Sequence, residues 1–350
     1  MPSHPLIVEQ LSDLYRRHVR NVEALSVERL PGDASNRAYF RIRAGDDSAI
    51  AMVLAENDPH KAAEEISKEC DTIPELPFVN VLRFLASYGI PVPRLLFDGQ
   101  QIGVLILEDL GDLTLLEYAV QAAEDQRERI YAQAVDDLVA LQTTVLHGDY
   151  DGFIGIRRRY DQDLLFWEFE HFVEYAIDSK GENMPQEERA MLQDAFHLLS
   201  DRIASMPQAL VHRDYHSRNL MVRNGGLAII DFQDALMGPV PYDLASLLRD
   251  SYISVGEPLV DRLVERYRLG AQDAGIGHWS RDEFRECFDI VSVQRNLKAA
   301  GRFEYIDQVK GNPKFLADIP RTLGYVKENI AKHESLKGLR VLANYVPMLA

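Results

Sequence analysis

Hydrophobic and polar residues alternate along short segments in the first third of the chain, as they do in β-strands with one buried face. Residues 38–43 alternate in this way, a polar turn follows over 44–47, and residues 49–54 form an apolar run. This combination predicts a β-hairpin. A first strand is predicted just before it, over residues 24–30.

Two helices and a second pair of strands complete the predicted N-terminal region. Apolar residues at helical spacing predict helices over residues 5–23 and 78–88. Residues 92–97 and 102–107 are apolar and flank an Asp-Gly turn, so they predict two further strands. The first third of the chain is therefore expected to be rich in β-structure.

After residue 108 the pattern changes to long helical repeats of apolar residues, interrupted by one β region over 210–232. The predicted helices lie over residues 115–146, 164–177, 187–206 and 244–252. We therefore expect an α+β fold with two lobes. The small β-rich N-terminal lobe covers residues 1–107, a hinge covers 108–112, and a larger helical C-terminal lobe covers 113–350.

Composition and charge narrow the class of protein. The 350 residues are 46% hydrophobic and 27% charged, which is typical of a globular protein. With 38 Lys and Arg against 55 Asp and Glu, the net charge is -17, and the run of three arginines at 157–159 lies beside acidic residues. Neither a nucleic acid nor an anionic membrane is therefore expected as a partner.

The cysteines and the apolar segments bear on the compartment. Cys70 and Cys287 lie far apart and lack neighbouring ligands at metal spacing, so neither a disulfide framework nor a zinc site is expected. A signal-peptide pattern is missing at the N-terminus, and the apolar stretches are too short to cross a bilayer. We expect a cytoplasmic protein; its oligomeric state is left open.

The segment with the most chemical content follows the predicted strand at Val211. Residues 212–219 read His-Arg-Asp-Tyr-His-Ser-Arg-Asn, and a later apolar strand ends in Asp231, followed by Phe and Gln. Asp214 and Asn219 have the spacing of the catalytic loop H-R-D-x-x-x-x-N, and Asp231 stands where D-F-G has its aspartate. Phosphoryl transfer needs a carboxylate that orients the attacking hydroxyl and oxygen ligands for Mg²⁺ on ATP. We predict Asp214 as the catalytic group and Asn219 and Asp231 as metal ligands.

Several longer stretches give the chain a family resemblance. They lie over residues 32–41, 211–221, 238–250, 294–298 and 316–321. These stretches resemble the superfamily of aminoglycoside phosphotransferases and choline kinases, and within it the anomeric N-acetylmuramate/N-acetylglucosamine kinases of cell-wall recycling. The resemblance implies a bilobal protein-kinase-like fold, ATP and Mg²⁺ as cofactors, and a small molecule as partner. It also implies phosphorylation at the anomeric hydroxyl of an amino sugar.

A polar segment between the first and second predicted strands is a candidate phosphate-covering loop. It consists of Gly32, Asp33, Ala34, Ser35 and Asn36. Backbone N–H groups in such a loop form a nest that binds phosphate oxygens. The alternative is an ordinary polar hairpin turn.

The cation and the hinge expected near the nucleotide are less regular. The third strand has Met52 where kinases carry a phosphate-pairing lysine, so we expect Arg41 or Arg43, on one face of the preceding strand, to replace that cation. The alternative is that both arginines are solvated. In the hinge, Glu108 and Leu110 are predicted to contact the adenine through their backbone.

The acceptor is expected to bind in the helical lobe. The candidate residues are Glu168, Glu170, His171, Arg249 and Arg295. Trp167 would supply a stacking surface beside His171, and Lys298 would join Arg295 in binding an acidic substituent such as a lactyl carboxylate. The alternatives are core aromatic residues, an ion pair at Arg249 and a solvated helix face.

Asp243 opens the helix predicted around residue 244. It is a candidate N-cap. The family resemblance gives it a second role, support of the catalytic loop from behind.

Two other functions remain open from the sequence. A kinase for an aminoglycoside, choline or another cationic alcohol would suit the net charge of -17. A nucleotide-binding pseudokinase would explain the missing lysine, although Asp214, Asn219 and Asp231 are all present and argue against it.

Overall fold

The computed structural model of the chain describes residues 4–31, 37–54, 75–146, 150 and 152–350. These residues form two compact units: one contains the described residues up to Leu113 together with Met221–Asp234, and the other contains Thr114–Leu220 and Ala235–Ala350. The segment Met221–Asp234, which the sequence analysis places in the C-terminal lobe, therefore packs with the first unit. The lobe and hinge boundaries at 107 and 112 stay a prediction.

The first unit is built on a five-stranded antiparallel sheet. Its order is β1 (Ser26–Arg29), β2 (Ala38–Ala44), β3 (Asp47–Val53), β5 (Val104–Glu108) and β4 (Leu95–Gly99). Strands β2 and β3 pair along their whole length, which confirms the predicted hairpin. Phe40 and Ile42 of β2 pack in an apolar core with Leu11 and Tyr15 of helix α1 (His4–His18).

Helix α2 (Pro77–Ser87) and a short hairpin complete the first unit. The hairpin consists of β7 (Leu220–Arg223) and β8 (Gly226–Ile229). The Ile229 N–H donates to the Pro91 carbonyl over 2.8 Å, and Phe232 stacks on Phe78 of α2 with ring centroids 5.0 Å apart. These contacts fix the segment that carries Asp231 within this unit.

The second unit is helical. Its helices are α3 (Leu115–Gln121), α4 (Glu124–Thr143), α5 (Gln162–Ala176), α6 (Gln186–Ala204), α7 (Tyr242–Leu248), α8 (Glu257–Asp273), α9 (Arg281–Lys310) and α10 (Ile319–Lys332). Strands β6 (Gln208–Val211) and β9 (Leu236–Pro239) form an antiparallel pair beside them. A Cβ added at Gly301 of α9 would lie 2.6 Å from the Cα of Phe172, so glycine permits the close approach of α5 and α9.

Helix α9 positions much of the site. It begins at a capping box between Ser280 and Glu283 and ends at Gly311, whose φ of 65° suits the C-terminal position of a helix. Its middle buries polar side chains, including Gln294 and Arg295, instead of a continuous apolar stripe. Buried polar groups need partners, so the side chains of this helix form specific hydrogen bonds within the second unit.

The α+β class predicted from the sequence is confirmed by this architecture. Within the parts of the chain that the structure describes, every helix is too short or too polar to cross a membrane.

Candidate active site

The predicted catalytic loop follows β6 in the second unit, and Asp243 anchors it. Asp243 lies at the start of α7, and its carboxylate accepts the backbone N–H groups of His212 (2.6 Å) and Arg213 (3.0 Å). Arg213 has a φ of 79°, a left-handed conformation that is unfavourable for residues with a side chain. Burial raises the pKa of Asp243 to about 6. The expected support of the loop from behind is confirmed by these bonds.

Asp250 is a second carboxylate that holds the loop. It is fully buried and accepts the backbone N–H groups of Ser217 (2.9 Å) and Tyr252 (2.8 Å). Each end of the loop is thus bonded to a carboxylate, Asp243 at residues 212–213 and Asp250 at residue 217. These three hydrogen bonds restrain the backbone of the loop.

The electrostatic surroundings of Asp214 favour its ionised form. Burial raises the pKa of this carboxyl, but the positive charges of Lys298, Arg213 and Arg295 outweigh burial and hold the pKa well below its usual range. Asp214 is therefore a carboxylate at neutral pH. A carboxylate in this position can accept a hydrogen bond from a substrate hydroxyl and orient it.

The two predicted metal ligands present oxygen atoms, which Mg²⁺ prefers. In the second unit, the Asn219 amide N–H donates to the Asp214 carbonyl over 3.0 Å, so the amide oxygen is left for another partner. In the first unit, Asp231 has a φ of 65°, and one of its carboxylate oxygens accepts the side-chain amide of Gln233 over 3.0 Å. Gln233, where the D-F-G pattern has glycine, thus orients the Asp231 carboxylate.

Glu168 does not lie on an open acceptor-facing surface. Only 1% of its side chain is exposed. Its carboxylate accepts hydrogen bonds from Tyr160 (3.1 Å), Arg213 (3.3 Å) and Gln294 (2.7 Å), and it lies 3.5 Å from the Lys298 ammonium. Glu168 therefore balances the charge of two cations that face Asp214 and ties α5 to α9 and the catalytic loop.

Two of the other predicted acceptor residues, His171 and Arg249, are buried among side chains that hold them in place. His171 is buried between Trp167 and Tyr305, and burial lowers its pKa. Arg249 is buried and ion-paired with Glu257, as the plainer alternative expected. These contacts fit a structural role for both residues, although acceptor binding by them is still a prediction.

Glu170 and Arg295 are the other two residues predicted to bind the acceptor. Glu170 is half-buried on α5. Arg295 is 5% exposed, and among the described residues its guanidinium donates to two neutral oxygens, those of Ser251 (3.3 Å) and Asn296 (3.2 Å). Its positive charge also acts on the Asp214 carboxylate.

In the first unit, the hinge segment adjoins a pocket of about 350 Å³. Its lining residues are Pro91, Val92, Arg94, Glu108, Leu110, Arg223, Asn224, Leu227 and Ala228. Glu108 is held there by ion pairs with Arg94 and Arg223. Both predicted adenine contacts, Glu108 and Leu110, therefore line one cavity, whereas the candidate phosphate loop 32–36 lies outside the described residues.

Arg41 contacts the hinge region directly. Its guanidinium lies 2.7 Å from Asp109 and 2.8 Å from Asp112, and it also donates to the Gly111 carbonyl over 3.3 Å. The side chain is 7% exposed, whereas Arg43 is exposed. These contacts support a role for Arg41 in holding the segment that continues from Glu108.

We expect Arg41→Ala to raise the KM for ATP by about tenfold or more, because it removes several charge-assisted hydrogen bonds from the hinge. Arg43→Ala is the matched control and should leave this KM unchanged. Binding of adenosine, measured by calorimetry, separates two causes: it weakens if Arg41 positions the hinge and is unchanged if Arg41 contacts only the phosphates. Equal KM values for the two variants and the parent protein would contradict both roles.

The sequence missed several residues that build the site. Tyr160 and Tyr242 share a hydroxyl hydrogen bond of 2.8 Å, and the Lys298 ammonium lies 3.3 Å from each oxygen. Tyr160 does not lie in a recognisable sequence motif. Tyr242 stood beside Asp243 in a recognised stretch, which was the signal that could have found it.

A β-rich unit with a pocket beside Glu108 and Leu110, and a helical unit with an anchored Asp214 loop, are features of a kinase-like phosphotransferase. The model of the phosphotransferase enzyme family matches residues 26–284. The chain belongs to this family. The prediction of an ATP-dependent small-molecule kinase is thereby confirmed.

Curated relatives are similar over most of their length. The N-acetylmuramate/N-acetylglucosamine kinase of Pseudomonas aeruginosa is 33% identical over 317 residues, which cover 90% of this chain and 87% of that protein. The protein of the same name from Neisseria meningitidis is 31% identical over 313 residues, covering 89% and 87%.

Solved structures show the same fold at low sequence identity. Choline kinase from Cryptosporidium parvum has a TM-score of 0.63 at 12% identity, over 97% of this chain and 99% of that one. Spectinomycin phosphotransferase in complex with ADP and spectinomycin has a TM-score of 0.57 at 15% identity, covering 94% and 95%. The protein-kinase-like fold expected from the family resemblance is confirmed.

Proposed function

We propose that the protein transfers the γ-phosphoryl group of ATP to a hydroxyl of an N-acetylated amino sugar, N-acetylmuramate or N-acetylglucosamine. The observation that carries this proposal is the anchored carboxylate of Asp214, in a chain one-third identical to kinases named for those sugars. We propose the anomeric hydroxyl as the acceptor, on the family resemblance of the sequence.

Asp214 orients the attacking hydroxyl and accepts its proton as transfer proceeds. The oxygens of Asn219 and Asp231 would hold Mg²⁺, which neutralises charge on the phosphate groups when bound. Glu108 and Leu110, in the hinge pocket, contact the adenine. Lys298 and Arg295 place positive charge around Asp214 and the acceptor.

A cationic acceptor is the second candidate, because neighbours of the same fold include choline kinases and aminoglycoside phosphotransferases. The charges around Asp214 argue against it. Arg213, Arg295 and Lys298 all act on this carboxylate and would repel a cationic alcohol. A neutral or anionic sugar suits these charges better.

A screen of ATP consumption against N-acetylmuramate, N-acetylglucosamine, an aminoglycoside and choline tests the proposal. We expect turnover with the amino sugars only, and an acid-labile product whose ³¹P signal couples to the anomeric proton. Turnover of the cationic alcohols alone would support the second candidate. Absence of turnover with all four, from protein that binds ATP, would favour the pseudokinase.

A further inference from the structure

The arginines around the catalytic loop differ in what neutralises them. Arg213 pairs with Glu168, Arg249 with Glu257, and Arg321 lies 3.9 Å from Asp318. Arg218, which lies in the loop directly before Asn219, has no carboxylate within ion-pair distance among the residues that the structure describes. Arg218 therefore lacks a close ion pair, four residues from Asp214, although its charge acts on Asp318.

Aromatic rings hold the Arg218 guanidinium in place. It lies over the ring of Tyr252 at 4.3 Å and over that of Phe315 at 5.7 Å. Phe315 stacks in turn on Phe303, and Tyr252 packs edge-on against His216. Stacking fixes a guanidinium without neutralising it and leaves its N–H groups at the edge. Arg218 is half-buried, so part of the residue is exposed to solvent.

Arg295 adds a second cation near Tyr252, because it donates to the side chain of the preceding residue, Ser251. The positive charges of Arg218 and Arg295 both act on the Tyr252 hydroxyl, whose pKa burial raises to about 12. Arg295 meets only neutral oxygens, and the side-chain nitrogen of its neighbour Asn296 is buried with no partner among the described residues. The charge of Arg295 also acts on the Asp214 carboxylate, so it lies close to the catalytic group.

The nearby acidic groups are engaged elsewhere. Asp250 accepts the backbone N–H groups of Ser217 and Tyr252. Asp318 faces Arg321 as well as Arg218, and burial raises its pKa. Among the described residues, neither of these carboxylates forms a close ion pair with Arg218.

We propose that Arg218, stacked on Tyr252 and assisted by Arg295, is a carboxylate subsite that recognises an acidic substituent of the acceptor. This inference rests on the proposed function and refines it: the lactyl carboxylate of N-acetylmuramate binds Arg218, and N-acetylglucosamine, which lacks that group, does not use the subsite. The guanidinium fork matches a carboxylate with two parallel hydrogen bonds. Lys298, paired with Glu168, is not part of the subsite.

Replacement of Arg218 by glutamine tests the subsite. The kcat/KM for N-acetylmuramate should fall by about tenfold to a hundredfold, the effect of losing a hydrogen bond to a charged group, while that for N-acetylglucosamine stays within about twofold. Arg218→Lys keeps the charge but loses the fork and should give an intermediate loss. Arg266→Gln, which removes the same charge from a surface ion pair with Asp136, is the control for net charge and should change neither value.

Calorimetric binding of both sugars to the same variants separates this proposal from the proposed function. If the protein turns over the sugars but Arg218→Gln leaves the ratio of kcat/KM for N-acetylmuramate to that for N-acetylglucosamine unchanged, the subsite is overturned and the proposed function stands. A loss of equal size on both sugars would also overturn it, because Arg218 would then only support the catalytic loop. If the parent protein turned over neither sugar but bound N-acetylmuramate through Arg218, the subsite would stand and the function would fail; binding of neither would overturn both.

Discussion

Replacing Asp214 with asparagine should reduce phosphoryl transfer by roughly a hundredfold to ten-thousandfold, while ATP binding is unchanged. The substitution keeps the size of the side chain but removes the negative charge that orients the hydroxyl. Loop geometry should survive, because Asn219 bonds to the backbone carbonyl of residue 214 and not to its side chain. Initial rates with a saturating amino sugar measure the loss, and calorimetry with ATP shows that the nucleotide site is intact.

Asp136→Asn is the matched control for Asp214→Asn. Asp136 is half-exposed and pairs with Arg266 on the surface, so its replacement should leave the rate within about twofold. A rate in Asp214→Asn close to that of the control would remove Asp214 from the catalytic role. Loss of ATP binding together with activity would point instead to collapse of the loop.

The sequence predicted the catalytic loop because its chemistry is local in the chain. Asp214 and Asn219 lie five residues apart, and the loop geometry follows from that spacing and from two flanking strands. The β2–β3 hairpin was predictable for the same reason, since alternation and a polar turn specify it locally. Structural features that depend on residues close together in the sequence can therefore be predicted from the sequence.

The groups that support the loop could not be found in this way. Glu168 meets Gln294 from 126 positions away, and its sequence surroundings are those of an ordinary amphipathic helix. The sequence singled out Glu168 as a candidate acceptor residue but gave no sign of the side chains that it contacts. Only the folded structure shows that Glu168 faces Gln294 of α9 and Arg213 of the catalytic loop.

The extent of helix α9 could not be predicted from the sequence, for a physical reason. A surface helix is recognised by an apolar stripe, but α9 buries polar residues along its length, among them Asp289, Gln294 and Asn296. The same property makes the helix functionally important, because each buried polar side chain there needs a partner. Arg41 is a comparable case: strand alternation predicted its face, but its acidic partners lie about 70 positions away.

Replacing Glu168 with glutamine should lower the free energy of unfolding by about 3 to 5 kcal/mol, the cost of leaving a buried charge unpaired. Arg213 and Lys298 would both lose the carboxylate that balances them, at a position where only 1% of the Glu168 side chain is exposed. Chemical denaturation followed by circular dichroism measures the change. Glu128→Gln, which breaks the exposed pair with Arg262, should cost less than about 1 kcal/mol.

The double variant Glu168→Gln/Lys298→Met separates loss of charge balance from loss of hydrogen bonds. If unpaired positive charge causes the instability, removing one of the two cations should recover part of the free energy that Glu168→Gln loses, because fewer buried charges then lack a partner. Additive losses in the double variant would show that the hydrogen bonds of Glu168 matter more than its charge. In either case kcat should fall with Glu168→Gln, since Arg213 directly precedes Asp214 and its left-handed backbone depends on these contacts. An unchanged kcat in folded Glu168→Gln would mean that Asp243 and Asp250 alone hold the loop.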